Sequence, residues 1–209
     1  MNKNKKVSMA VIRRLPKYYR YLSELKNKDI KRISSYELSK LTGFTASQIR
    51  QDFNNFGGFG QQGYGYNIEE LHRQLAAIIG IDRQHDGIII GAGNLGQSIA
   101  NYKNFGEMGL NVVAIFEKNP RLIGYTIREI PILDIYEIDE FCRGKNIEIA
   151  VITTPKEEAQ AVADKAVSLG IESIWNFAPV DLKTSENIVV ENIHLSESLL
   201  ALMFMLNNK

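Results

Sequence analysis

A chain of 209 residues with 44% apolar residues can bury a substantial core and has room for one or two domains. One cysteine, Cys142, excludes an internal disulfide, and the longest apolar run, Leu199 to Leu206, has 8 residues against the roughly 18 of a spanning helix; with no secretory leader in view, the expected setting is the cytoplasm. The net charge of +1 hides an uneven distribution: residues 1–66 carry 13 Lys and Arg against 4 Asp and Glu, residues 84–209 carry 10 against 17, and such a division suggests a nucleic-acid-binding segment joined to a domain of another kind.

In chain order, a lysine-rich start leads into a helix expected over 11–26, where Leu15, Tyr18, Tyr19 and Leu22 fall on one face and Pro16 is tolerated near the start. The stretch SSYELSKLTGFTASQIRQDFNNFG (34–57) predicts two helices joined by a tight turn. Ser34 with Glu37 and Thr45 with Gln48 make two capping-box starts, and Gly43 separates them. Leu38, Leu41, Ala46, Ile49 and Phe53 form the expected apolar side, leaving Ser47, Gln48, Arg50, Gln51 and Asn54 outward on the second helix. This is a helix-turn-helix layout, whose second helix enters a major groove and offers polar side chains to base edges and phosphates.

The glycine- and aromatic-rich segment GGFGQQGYGYNI (57–68) predicts a two-stranded wing, completing a winged helix over residues 1–80. The expected DNA-contacting set is Arg14, Ser47, Gln48, Arg50, Gln51 and, on the wing, Gln61, Gln62 and Tyr64. A further helix starts at Asn67 and ends near Gly80, and residues 81–87 form the expected linker.

Beyond the linker the pattern alternates as in an α/β domain: strands at 88–90, 112–116, 147–153, 171–177 and 188–191, helices near 94–106, 135–143 and 156–169. The expected fold over 84–193 is a doubly wound, mostly parallel Rossmann-like sheet. Its opening GIIIGAGNLGQSIANY (87–102) places Gly91, Gly93 and Gly96 at G-x-G-x-x-G spacing between a strand and a helix. That spacing suits a tight turn, backbone approach to a pyrophosphate and close helix packing, with Ala92, Asn94 and Leu95 completing the loop. Glu117 follows Gly96 by 21 residues, where a carboxylate accepts from ribose hydroxyls and repels a 2′-phosphate, pointing to NAD (NADH or NAD+), against which its neighbour Lys118 argues. Thr153, Thr154 and Pro155, and Asn176, Phe177, Ala178 and Pro179, follow later strands and are expected at the same crevice; Phe177 serves equally well as core.

The three histidines, His72, His85 and His194, read as structural or solvated, too few residues follow the Phe177 strand for a substrate domain, and no metal-ligand cluster or nucleophile motif stands out. The glycine loop therefore reads as a sensor's grip, with no catalytic residue assigned. The last stretch, LSESLLALMFML (195–206), is too apolar for a lone surface helix and needs a partner groove, which a second subunit would supply.

From about Arg14 onward the chain resembles the Rex family of bacterial redox-sensing repressors, on RLPKYYRYL (14–22), ISSYELSKLTG (33–43), QIRQDFNNFGGFG (48–60), GYGYNIEEL (63–71), GAGNLGQSIANYKNF (91–105), EEAQAVADKAVSLGIESIWNFAPVDL (157–182) and the terminal helix. The resemblance implies a homodimer that binds palindromic operators of fermentation, anaerobic-respiration and NADH-reoxidation genes. It implies release of DNA on binding NADH, and a C-terminal helix (194–209) swapped between subunits. It also implies a switch in which Arg14 and Tyr102 join an acid at position 194.

Three departures stand out. His194 replaces the family's Asp, which changes that pairing and suggests a pH-sensitive or weaker response. Gln61 and Gln62 replace wing Lys or Arg, which reduces attraction to the minor groove. Glu117-Lys118-Asn119 replaces an Asp-x-Asp setting. On these grounds the chain is expected to be a divergent member. Two other readings stand beside it: a regulator on the same fold with a structural nucleotide and an altered redox response, and a small NAD-dependent oxidoreductase.

Overall fold

The structure is a computed structural model that describes residues 7–61 and 64–208. By its internal contacts the chain divides after Asp82. The expected linker ran to residue 87, but His85–Gly87 already belong to a strand.

The first unit runs α1 (Met9–Ile12), α2 (Leu15–Asn27), β1 (Arg32–Ile33), α3 (Ser35–Thr42), α4 (Ala46–Asn54), β2 (Gly60–Gln61), β3 (Gly65–Asn67) and α5 (Ile68–Ile79). The single helix expected over 11–26 is broken at Arg13–Arg14. Pro16 stands in the first turn of α2, and its ring would collide with the carbonyl four residues back if the helix ran on. At α3 the capping box is complete, since Glu37 N–H donates to the Ser34 hydroxyl while the Glu37 carboxylate accepts from Ser34 N–H; such a cap contributes about 1 kcal/mol. Thr45 caps α4 by accepting from Gln48 N–H, and Gly43 closes α3 in the left-handed region. Tyr18, Leu22, Leu38, Ile49, Phe53, Leu71 and Leu75 are fully buried in one core, with the Tyr18 ring edge-on to Phe44 and Phe53. Leu41, expected inside, is exposed; Thr42 is buried in its stead, its hydroxyl donating to Leu38 O within the helix, so α3 packs on its 38/42 edge. The strands form a small antiparallel sheet, β1-β3-β2, with Arg32 opposite Asn67 and Gln61 opposite Gly65.

The second unit runs β4 (His85–Ile90), α6 (Asn94–Asn101), α7 (Asn104–Glu107), β5 (Leu110–Glu117), β6 (Thr126–Ile127), β7 (Ile130–Asp134), α8 (Ile138–Cys142), β8 (Ile149–Ile152), α9 (Lys156–Ser168), β9 (Ser173–Asn176), β10 (Val189–Asn192) and α10 (Leu195–Asn207). Its seven-stranded sheet has the order β10-β9-β8-β4-β5-β7-β6, parallel except for the β6–β7 pair. β4 at the centre is buried on both faces. Ile88 and Ile90 join Ala114, Phe116, Ile138 and Ala166 on one side, and Ile89 joins Ile99, Ile115 and Val151 on the other, as the two-residue period of a strand requires. The helix expected over 94–106 divides at Tyr102 and Lys103, and the one expected over 135–143 shortens to α8 after a single 3-10 turn at Ile135–Glu137. No residue of α10 is buried: Leu199, Leu200, Leu202, Phe204 and Leu206 all present exposed apolar side chains.

Candidate ligand crevice and nucleic-acid interface

β4 has its sequence-adjacent crossover partner, β5, on one side and β8 on the other, so the chain reverses its direction of sheet growth at β4. In open parallel sheets this is where a crevice opens beyond the carboxyl ends of the strands. A crevice of about 830 Å³ lies there, lined among others by Gly91, Gly93, Glu117, Lys118, Thr153, Thr154 and Pro155.

Its floor is set by contacts that leave no room for side chains. A Cβ on Gly96 would stand 2.0 Å from Gly91 O, and one on Gly91, at φ +108°, would stand 2.9 Å from Thr153 O. Thr153 clasps the loop from β8, its hydroxyl donating to Gly91 O at 2.8 Å. A Cβ on Gly93 would meet nothing within 4 Å, so the loop is tight where it packs and open where a ligand would approach. Gly93 caps α6 without a side chain, leaving the first N–H groups of that helix uncapped toward an anion.

Glu117 closes β5 and turns its carboxylate onto this loop. One oxygen accepts from Ala92 N–H at 2.6 Å, the other from Lys118 and Asn119 N–H at 2.8 and 2.9 Å. A carboxylate offers about four acceptor positions, so one remains for a ligand hydroxyl. The Thr154 hydroxyl is buried without a partner beside the crevice, the kind of orphaned polar atom that a ligand group satisfies. The residues present therefore fit a dinucleotide: open space at Gly93, uncapped N–H groups, one free carboxylate acceptor and an orphaned hydroxyl.

Other residues named from the sequence lie outside this lining. Ala92 and Gly96 are buried beneath it, and Asn94 and Leu95 begin α6. Asn176 is fully buried; its amide donates to Val180 O and Asn192 Oδ1 and its Oδ1 accepts from Ala178 N–H, tying β9 to β10 and to the loop that carries buried Ala178 and exposed Pro179. Phe177 belongs to a ladder of rings, Tyr102–Phe105–Trp175–Phe177, with centroids 4.6, 5.3 and 4.7 Å apart. Tyr136, Glu157 and Glu158 line the crevice but carried no motif; the signal that would have found Glu157 and Glu158 is their place in the first turn of the helix that follows Thr153-Thr154-Pro155.

In the first unit, Ser47, Arg50, Gln51 and Asn54 are exposed on α4 and Gln48 is half-buried. Arg50 is steadied by a 2.8 Å bond to Ser35 Oγ. Tyr64 stands exposed at the tip of the hairpin, its carbonyl accepting from Arg32. Gln61 lies in β2, and Gln62 lies outside the described residues. The guanidinium of Arg14, named from the sequence both for DNA contact and for the switch with Tyr102 and position 194, makes two 2.7 Å bonds to the carboxylate of Asp52, which is 2% exposed, and Tyr18 Oη donates to the same carboxylate at 2.7 Å. His72 stacks on Tyr19 and bonds Ser23, His85 stands 3.1 Å from Glu148, and His194 pairs with Asp181 at 2.9 Å. Among the described residues no cluster of His, Cys, Asp and Glu could hold a metal ion, and no helix is long and apolar enough to cross a membrane.

A winged-helix unit with an exposed polar face on α4, joined to a doubly wound unit with a glycine-loop crevice, defines a class: a two-domain regulator of the winged-helix and Rossmann type. Residues 6–54 match a family described as "Putative DNA-binding protein N-terminus", and residues 82–180 match the CoA binding domain family. Over its whole length the chain is 55% identical to the redox-sensing transcriptional repressor Rex of Thermoanaerobacter pseudethanolicus, covering 93% of that protein, and it is 55% identical to Rex of Clostridioides difficile over 97% of both chains. The crystal structure of RSP in complex with β-NAD+ and operator DNA superposes with a TM-score of 0.92 at 55% identity, covering 98% of this chain and 94% of that one; RSP with β-NADH gives 0.90 at 52%, covering 98% and 96%. The protein belongs to the Rex family of redox-sensing transcriptional repressors. Such identity along the full chain corrects the expectation of a divergent member.

Proposed function

We propose that this protein is a transcriptional repressor that reads the NADH to NAD+ ratio, binding a palindromic operator as a homodimer in the cytoplasm and releasing it when NADH occupies the crevice, with no catalytic turnover of its own. The observation that carries this reading is the presence, on one chain, of an exposed polar face on α4 and a glycine crevice closed by Glu117. Support comes from the RSP complexes, one with β-NAD+ and operator DNA and another with β-NADH.

Ser47, Gln48, Arg50 and Gln51 would meet base edges and phosphates, with Gln61, Gln62 and Tyr64 toward the flanking groove. Gly91, Gly93, Thr154 and Glu117 would hold pyrophosphate and ribose. When bound, the nucleotide supplies a redox signal: a nicotinamide ring that is planar and cationic when oxidised, puckered and neutral when reduced. It shifts the DNA-binding equilibrium only by its differential affinity for the two arrangements. α10 would be covered by the second subunit. Gel shifts with a palindromic operator, titrated separately with NAD+ and NADH, test the reading. NADH alone is expected to raise the Kd for DNA; equal DNA affinity with and without saturating NADH sinks it.

A further inference from the structure

Lys118 follows Glu117 at the carboxyl end of β5, where the Rossmann arrangement reads the 2′ position of the ribose. An unpaired lysine there attracts the 2′-phosphate that distinguishes NADP(H) from NAD(H), against the repulsion from Glu117. Lys118 is not unpaired. Its ammonium is bonded by Glu158 Oε1, which reaches across from the first turn of α9, and this bond is the first cause holding the Lys118 ammonium above the usual lysine range. The other lysine of the lining, Lys165, is held by both oxygens of Asp139 at 2.6 Å. Glu157 adds a third carboxylate to the lining beside Glu117 and Glu158, so the crevice offers an incoming phosphate three anions and two engaged cations.

We propose that Glu158 is a specificity-determining residue. By occupying Lys118 and standing as an anion at the same spot, it denies a 2′-phosphate the ammonium that adjoins Glu117 and sets the preference for NAD(H) over NADP(H). The inference rests on the nucleotide reading above. Lys118 is 63% exposed and Glu158 38%, so their pair is weak in itself. A doubly charged phosphate would compete successfully for Lys118 if it did not also have to approach Glu158. Exclusion therefore depends on the glutamate's charge more than on the strength of the bond.

The experiment compares NADH and NADPH binding by calorimetry for the wild type, Glu158→Gln, and Glu158→Gln combined with Lys118→Ala. The Glu158→Gln change is expected to shift the ratio of NADPH to NADH affinity toward NADPH by about tenfold at low ionic strength, and the added Lys118→Ala to remove most of that gain. An unchanged ratio in Glu158→Gln, with NADH bound by the wild type, overturns the assignment; so does a gain that survives the loss of Lys118. A wild type that fails to bind NADH overturns the nucleotide reading itself, and the assignment with it.

Discussion

Arg14 and Asp52 stand 38 positions apart in the chain yet share two 2.7 Å hydrogen bonds, with Tyr18 donating a third to the same carboxylate. Asp52 lies on the inward side of α4, so this triad fixes the rotation of the helix whose outer side carries Ser47, Arg50 and Gln51. The hydrogen bonds Arg14 donates to Asp52 raise the Arg14 pKa, and burial first, with Asp52 second, raises that of Tyr18.

Removing one member of a buried ion pair leaves the other charge uncompensated. Asp52→Ala is therefore expected to destabilise the first unit by about 3 kcal/mol, read as a lower denaturation midpoint with unchanged slope. It should also weaken operator binding, although Asp52 itself lies on the buried side of α4. A midpoint equal to that of the wild type would remove the triad from the account of α4.

The glycines of the loop are predicted to separate by mutation. Gly96→Ala drives a methyl group against Gly91 O, a backbone atom that cannot yield cheaply, and should cost roughly 1–3 kcal/mol of stability together with NADH binding. Gly93→Ala meets open space at an ordinary backbone φ of −68°, so the fold should be retained while nucleotide affinity falls. Thermal unfolding paired with calorimetry distinguishes the two.

The His194–Asp181 pair gives a pH dependence with a definite sign. The hydrogen bond that His194 Nε2 donates to Asp181 raises the His194 pKa above 6.5. A raised folded pKa means that the pair's contribution is fully present below the unfolded value, and is lost as pH rises through the folded one. With Asp181 largely exposed the contribution is small. Proton NMR should find His194 titrating above 6.5 and returning toward that value in Asp181→Asn; a His194 pKa unmoved by the substitution would dissolve the pair.

A 13-residue helix with no buried side chain cannot leave so much apolar surface in water. Replacing Leu200 and Phe204 together with Glu should convert the protein to monomers in sedimentation and abolish binding to a two-half-site operator. A variant still dimeric at micromolar concentration would place the subunit contact elsewhere.

How far the sequence reached depended on where local chemistry sufficed. Ser34 with Glu37, Gly43, Asn67 and Gly80 mark helix ends by hydrogen bonds that close within a few residues, so those boundaries were legible. The glycine loop was legible because strand, loop and helix are contiguous. The β6–β7 hairpin was not: its turn is made by Arg128 and Glu129, both at positive φ (48° and 70°), a conformation ordinarily announced by Asn-Gly. The contacts of Arg14 with Asp52 and of Lys118 with Glu158 join residues 38 and 40 positions apart, and no periodicity encodes them. Asn176 illustrates the converse. Its position after a strand suggested a ligand contact, while its amide is engaged with Val180 and Asn192.

The aromatic ladder has a practical consequence. Trp175 is the sole indole of the chain and lies in the sheet of the second unit between Phe105 and Phe177, while the first unit contains none. Indole emission, excited to the red of tyrosine absorption, thus originates entirely in the half with the glycine loop. Because reduced nicotinamide absorbs where indole emits, quenching on titration would time the arrival of NADH without any added dye, leaving a label on the DNA free to clock its departure in the same cuvette.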